Sequence, residues 1–457
     1  MIIHLRMKQK IIIILFLVSG FFNQVKAQDS LRLYLGQIPD KYFGTSVADA
    51  SNEAFFQTMY NLPGRTYTKR IIYNFNALTA GNEMKFYAIH PQPDGFALDN
   101  GDKLCDFGEQ HGLHPRGHTL VWHAQLPSWL GAGNTGYENN NEYTRDSLLS
   151  ILKHHITTIV SHYKGRIKEW DVVNEPFEGD GSLRKSIWQQ VIGDDYIDSA
   201  FVWAHQADPD ATLVLNEYGA EPWGTSKSNG MYNKIKSLVE NGIPVHAAGF
   251  QCHATLGQSN FTMIKNNMER YHEIGVSCVI TELDIRIPAN QMGTQAAWDA
   301  QASDYVNYVK LMTETDYCHG IVVWGFTDKY SWIPAHTNYT AGEACLFNDL
   351  LNPKPAYYAI ENYLKTYLGY DDIKQELKHK PFELITKYNE LYIHLLDPGF
   401  KIKQTTLYNV MGQVVDAITN EQIVETNYTL NHLHSGIYIA IITDENNKNY
   451  ATRFFKQ

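Results

Sequence analysis

The sequence predicts an α/β protein: a (β/α)8 TIM barrel followed by a small C-terminal β-sandwich. Three observations carry this. Eight short apolar runs recur between about residue 40 and residue 326, separated mostly by longer stretches with helical periodicity. Polar and charged side chains gather where the runs end and not where they begin, as expected of a parallel barrel, whose chemistry sits at the C-terminal ends of its strands. Near residue 370 the pattern changes to short, alternating strands.

The chain opens on a leader. Lys8 and Lys10 precede the unbroken apolar stretch Ile11–Val18, and Val25-Lys26-Ala27 has the small-x-small form of a cleavage site. Residues 1–27 are expected to be a signal peptide, with a mature chain starting at Gln28; Met7 is an alternative start, and an uncleaved anchor is the competing reading. The apolar run is short for a membrane span, and no other stretch resembles one, so no stable membrane span is expected.

The eight runs are Tyr42–Val47, Ala77–Met84, Pro115–Trp122, Ile167–Asn174, Thr212–Asn216, Ala247–Gln251, Val276–Thr281 and His319–Trp324. Helical stretches include Arg145–Tyr163, Ser186–Ala207, Ser226–Asn241, Phe261–Ile274 and Trp298–Thr313, with Pro355–Leu368 closing the barrel. The barrel domain is placed at 28–369 and a charged linker at 370–380. The sandwich is placed at 381–457, with strands at Leu391–Leu396, Thr405–Val410, Gln413–Asp416, Gly436–Ile442 and Tyr450–Phe455 and turns at Met411-Gly412 and Ser435-Gly436.

Composition narrows the partners. A net charge of −11 over 457 residues argues against nucleic acid or an anionic membrane as main partner. No glycine-rich phosphate loop follows any strand, so nucleotide binding is unsupported. The five cysteines have no CxxC spacing, so no zinc site and no other metal is expected, and no cofactor is called for. Cys252, Cys278 and Cys318 fall in or beside apolar runs and read as buried free thiols. One bridge after export stays open, with its partners unassigned.

Two of the strand-end acids bear on chemistry. Glu175 closes the run Glu169–Asn174, and Glu282 closes Cys278–Thr281. Acids at the ends of apolar strands are costly to place without a purpose. Two carboxylates facing each other across a pocket are the minimal equipment for cleaving a glycosidic bond.

The motifs around them resemble those of family 10 glycoside hydrolases, retaining endo-β-1,4-xylanases. In order they are Asn82–Lys85, Arg116–Gln125, Trp170–Glu175, Gln251–His253, Thr281–Asp284, and Trp324–Asp328 followed by Ser331-Trp332. The resemblance covers about residues 40 to 367. It implies Glu175 as acid/base and Glu282 as nucleophile. It implies that His253 hydrogen-bonds the nucleophile, that Asp284 orients His253, and that Gln251 lies close to Glu282. Asn174 would bind the 2-hydroxyl of the sugar at the cut. Asn82, Lys85, His118, Trp122 and Gln125 would hold the sugars on the nonreducing side. Trp324 and Trp332 would wall the cleft, Glu217 would support the acid/base, and Tyr218 would line the leaving-group side. One departure stands out: Gly81 occupies a position where the family usually carries Glu, and Phe86 one where Trp is common.

The segment from about residue 385 to 457 resembles the sorting domain read by the type IX secretion machinery, on Leu407–Gln413, Ser435–Tyr438 and Arg453–Gln457. A carbohydrate-binding module is the alternative, but the segment has no Trp and shows no stacking platform. The expected product is thus secreted or attached to the cell surface after passage through the periplasm. The expected partner is xylan or a related β-1,4-linked polysaccharide. Two other functions remain: a β-1,4-glucanase or mixed-linkage glycanase of the same fold, and a barrel that binds polysaccharide without cutting it.

Overall fold

The computed structural model describes residues 30–47, 65–130, 143–368 and 381–456 except 388–389, 398, 410–413, 420–426 and 435. The expected signal peptide, linker and Met411-Gly412 turn lie outside the described residues.

The strands in chain order are β1 (Tyr42–Val47), β2 (Ala77–Ala80), β3 (His114–Val121), β4 (Glu169–Asn174), β5 (Thr212–Glu217), β6 (Ala247–Phe250), β7 (His253–Thr255), β8 (Ser277–Pro288), β9 (Cys318–Val323) and β10 (Ala341–Gly342). Eight of them, β1 to β6 with β8 and β9, pair in parallel, and β9 returns to β1 to close a barrel. Almost every residue in these strands is buried, because helices cover the outside and side chains fill the inside, so the runs read as continuously apolar.

Four of the outer helices start on side-chain caps. Thr144, Thr225, Asn260 and Thr294 each accept a hydrogen bond from a backbone N–H in the first turn of the helix that follows. Pro355 begins the closing helix Pro355–Tyr367, where its missing N–H costs nothing. The expected helix Ser186–Ala207 is interrupted. A π-turn at Trp188–Ile192 ends on Gly193 at φ 103°, and the helix resumes only at Tyr196–Ala207.

The seventh barrel strand, β8, is longer than its apolar run. It continues past Thr281 to Pro288, with Leu283, Ile285 and Ile287 fully buried on one face. The extension rises above the barrel and pairs with β7 in parallel and β10 antiparallel. At the opposite, N-terminal end, a charged cluster fills the barrel. Glu169 accepts from Arg116 Nε (2.5 Å), Tyr42 OH (2.7 Å) and His319 Nε2 (2.8 Å), and Arg116 also reaches Asp171 (2.9 Å). A Cβ at Gly320 would lie 2.3 Å from the Tyr42 ring, so only glycine leaves room for that tyrosine.

The C-terminal strands are β11 (Phe382–Lys387), β12 (Glu390–Leu395), β13 (Ile402–Asn409), β14 (Val414–Thr419), β15 (Asn427–Thr429), β16 (Gly436–Asp444) and β17 (Asn449–Lys456). They form two antiparallel sheets, β11-β12-β15 and β14-β13-β16-β17. Phe382, Leu391 and Ile393 of the first share a core with Leu407, Ala440 and Ile442 of the second, as a sandwich requires. β11 and β15 were not expected from the sequence. All five cysteines are buried and unbonded, so the bridge left open by the sequence is not present. Among the described residues, no helix is long and apolar enough to cross a membrane.

Candidate active site

The C-terminal mouth of the barrel opens into a cleft of about 1150 Å³. Asn82, Lys85, His118, Trp122, Gln125, Asn174, Glu175, Tyr218, Gln251, His253, Glu282, Trp324 and Trp332 all line it. Asp284 lies behind His253, fully buried. Residues from nearly every strand therefore converge on one cleft.

Glu175 is the first residue past β4 and turns at φ 53°, an uncommon conformation for a side chain of this size. Its N–H donates to Asn216 O at 2.8 Å, which pins the turn. The carboxylate accepts from Gln251 Nε2 at 2.9 Å, and Asn174 Nδ2 lies 3.4 Å away. His123 Nδ1 stands 3.9 Å from its other oxygen. Burial, with Arg184 and Lys227 adding to it, pushes His123 down to about 3, so this ring is neutral.

Glu282 sits within β8, buried and surrounded by donors. Asn216 Nδ2 donates to Oε1 at 2.8 Å, and His253 Nε2 donates to Oε2 at 3.2 Å. His253 Nδ1 donates to Asp284 Oδ2 at 3.0 Å, and Trp332 Nε1 donates to the same oxygen at 2.9 Å. Burial opposes charge on His253, but Asp284 and then Glu282 raise it to about 10, so the ring is a cation between two anions. Burial likewise works to raise Glu282, yet His253, His118 and Lys85 outweigh it and hold the carboxyl at about 2. Glu282 is ionised across the whole neutral range.

Between the two glutamates runs a chain of amides. Asn216 Nδ2 gives one hydrogen to Glu282 and the other to Asn174 Oδ1 (2.8 Å), while Thr281 Oγ1 fixes Asn216 Oδ1 (2.6 Å). Gln251 Nε2 divides its hydrogens between Asn174 Oδ1 (3.3 Å) and Glu175 (2.9 Å). These bonds set every amide so that it offers N–H, not oxygen, to a carboxylate. Gln251, expected near Glu282, reaches Glu175 with its side chain, and only its backbone carbonyl meets the Glu282 N–H (3.1 Å).

On the β2–β3 side, Lys85 Nζ donates to Asn82 Oδ1 at 2.9 Å and lies 5.2 Å over the Trp122 ring. His118 Nδ1 is held by Asp171 at 2.9 Å, and its ring meets Trp324 edge-on at 5.1 Å. On the β5 side, the Tyr218 ring is 41% exposed, with Lys227 Nζ 3.2 Å above it and Arg184 donating to its hydroxyl at 3.1 Å. Glu217 acts on Glu175 through the backbone beside it. It accepts from the Phe177 N–H (2.9 Å) and from Lys227 (2.8 Å), and so braces the turn that carries Glu175.

Asn216 as a Glu282 donor, Thr281, His123, Arg184 and Lys227 were not singled out in the sequence. Asn216 ends an apolar run, but its side-chain partners come from β4 and β8, which sequence order does not join. Among the described residues, no cluster of three His, Cys, Asp or Glu is placed to hold a metal ion.

A barrel whose open cleft presents two carboxylates, one held ionised, has the equipment of a glycoside hydrolase. Residues 34–363 match the model of glycosyl hydrolase family 10, and the chain belongs to that family. Residues 388–457 match a secretion system C-terminal sorting domain. The chain is 41% identical over 293 residues to endo-1,4-beta-xylanase B of Thermotoga neapolitana, covering 64% of this chain and 81% of that one. It is 40% identical over 287 residues to an endo-1,4-beta-xylanase of Agaricus bisporus, covering 63% and 82%. The crystal structure of native xylanase 10B from Thermotoga maritima superposes with a TM-score of 0.68 at 37% identity, over 75% of this chain and 99% of that one.

Proposed function

We propose that the protein is a retaining endo-1,4-β-xylanase, with Glu282 as nucleophile and Glu175 as acid/base. The contrast between the two carboxylates carries this reading: Glu282 is clamped as an anion by a charged histidine and an amide, while Glu175 meets only neutral donors and a neutral histidine. In the first step Glu175 gives its proton to the departing sugar oxygen as Glu282 attacks the anomeric carbon. In the second, Glu175 takes a proton from water, which displaces Glu282. Asn174, aimed by Asn216 and Gln251, is placed to hold the 2-hydroxyl. Asn82, Lys85, His118, Trp122 and Gln125 hold the sugars on the nonreducing side, Trp324 and Trp332 wall the cleft, and Tyr218 lines the leaving-group side. An open cleft suits internal cleavage of a long chain.

Xylan as substrate rests on the names of the relatives and on the family. We read residues 1–27 as a signal peptide, 28–369 as the catalytic domain, 370–380 as a linker and 381–457 as a signal for type IX secretion, which makes the enzyme secreted or surface-attached after crossing the periplasm.

The test is a pair of variants. Glu282→Ala is expected to abolish turnover on every substrate. Glu175→Ala is expected to slow polymer cleavage strongly while sparing aryl glycosides with good leaving groups. Equal loss on both substrates in Glu175→Ala overturns the assignment, as does release of the α-anomer as first product in a proton NMR time course. Sugar release from xylan, carboxymethylcellulose and barley glucan, run side by side, separates xylanase from glucanase.

A further inference from the structure

His90 and His155 lie outside the cleft, buried, and face each other. Their Nδ1 atoms stand 3.2 Å apart. The far nitrogens both meet backbone carbonyls: His90 Nε2 lies 3.2 Å from Pro93 O, and His155 Nε2 lies 3.1 Å from Leu120 O in β3.

The hydrogens can be counted. A carbonyl oxygen only accepts, so both Nε2 atoms must carry hydrogen. Two neutral rings then have none left for the Nδ1 contact, and two lone pairs face each other. Three contacts need three hydrogens, one more than a neutral pair owns. The surroundings suit one positive charge. Phe86 stacks on His155 at 3.6 Å and Phe96 on His90 at 4.1 Å, each offering a ring face to the cation. A second charge is excluded, because burial lowers both rings and His90 lowers His155 further. Of the ionisable groups around them, Asp94 favours charge on His90, and His154 opposes it on both rings. Phe86, Phe96 and Trp129, in ring contact with the pair, carry no charge, and β3 offers only a carbonyl.

The pair joins two elements. His90 ends the short helix Phe86–Ile89, its N–H bonded to Phe86 O at 2.9 Å, and His155 belongs to the helix Arg145–His162. The short helix is tied to two cleft residues. Ile89 N–H donates to Lys85 O at 3.0 Å, and Tyr87 N–H donates to Gln125 O at 3.1 Å. Trp129 Nε1 donates to His90 O at 3.2 Å. His90 and His155 therefore connect the backbone behind Lys85 and Gln125 to the outer helices.

We propose that His90 and His155 form a proton-operated latch: one proton shared between their Nδ1 atoms fastens the segment behind Lys85 to the helix Arg145–His162, and its loss at higher pH frees that segment. The effect on the cleft rests on the reading of Lys85 and Gln125 as sugar-binding residues; the latch itself does not.

Neutron diffraction from crystals of the full-length chain exchanged into heavy water counts the hydrogens directly. At mildly acid pH the four ring nitrogens are expected to share three deuterons, one of them between the Nδ1 atoms, and at mildly alkaline pH two. The same count at both pH values overturns the latch. Kinetics test its link to the cleft. Asparagine places an amide nitrogen where Nδ1 of histidine stands and donates without a charge, whereas glutamine places it where Nε2 stands and leaves His155 Nδ1 without a donor. KM for linear xylo-oligosaccharides is followed against pH in wild type, His90→Asn and His90→Gln. Relative to His90→Asn, the wild-type KM is expected to rise on the order of two- to tenfold as pH climbs through the histidine range, the worth of one hydrogen bond, with the kcat ratio unchanged. Relative to His90→Gln, it is expected to be lower in acid and to converge in alkali. Ratios that stay flat against both variants overturn the link. If the chain cleaves no xylo-oligosaccharide, the xylanase reading falls, while the deuteron count still decides the latch.

Discussion

Asp284→Asn removes the charge behind His253 while keeping the shape of the side chain. In the folded protein His253 rises from its ordinary 6.5 to about 10. That rise corresponds to about 5 kcal/mol of preference for the charged ring. Asp284 (3.0 Å) and Glu282 (3.2 Å) supply it together, against burial, and Asp284 is the stronger of the two. Without Asp284 the pKa is expected to fall back toward its ordinary value. The ring then loses its proton near neutrality and Glu282 loses its cationic partner. The assay is kcat/KM against pH on an aryl xylobioside with a good leaving group, because such a substrate needs no proton from Glu175. The wild-type alkaline limb is expected near 10, and the variant limb two to three pH steps lower. Stability follows the same sign. A raised pKa stabilises fully below the unfolded value of 6.5 and is lost as pH climbs through 10, so the gap in Tm between wild type and variant is widest below pH 6.5 and has closed above 10. An alkaline limb at the same pH in both proteins would refute the cationic His253.

Three further outcomes are expected. Asn216→Ala removes one donor from Glu282 and another from Asn174, and kcat on linear xylo-oligosaccharides is expected to drop on the order of tenfold to a hundredfold, as for a hydrogen bond to a charged group; a change below twofold would mean the amide chain is ornamental. Gly81→Glu restores a carboxylate at the cleft wall, and a charged contact of about 1.5–3 kcal/mol to the second sugar should improve kcat/KM on xylotriose while lowering activity on branched xylan; unchanged values on both would make Gly81 neutral. Deleting residues 381–457 should leave the purified enzyme's specific activity intact and stop its export, whereas weaker binding to insoluble xylan with export preserved would make this segment a binding module.

The barrel was legible because each buried parallel strand leaves an uninterrupted apolar run, and acids at the ends of such runs are conspicuous. Glu175 and Glu282 could be picked out for that reason. The extension of β8 was not seen, because beyond Thr281 the signal changes from a continuous run to strict alternation, Leu283, Ile285 and Ile287 on one face and Asp284 and Arg286 on the cleft-side face. A period of two describes a strand buried on one face, and its partners β7 and β10 are too short to announce themselves. The break before Tyr196 was hidden because helical periodicity on both sides of Gly193 runs on past one residue at φ 103°. Asn216 was harder still. An asparagine carries no pattern of its own, and its role is set by Thr281, Asn174 and Glu282 converging on it from two other strands.

The five unbonded cysteines have a consequence for redox sensitivity. Burial pushes the thiols of Cys105 and Cys318 up to about 12 and raises the other three as well. Thiolate is the species that exchanges or oxidises, so in the folded state these sulfurs are chemically quiet. With no disulfide among its five cysteines, the fold has no bond that a change of redox surroundings could break.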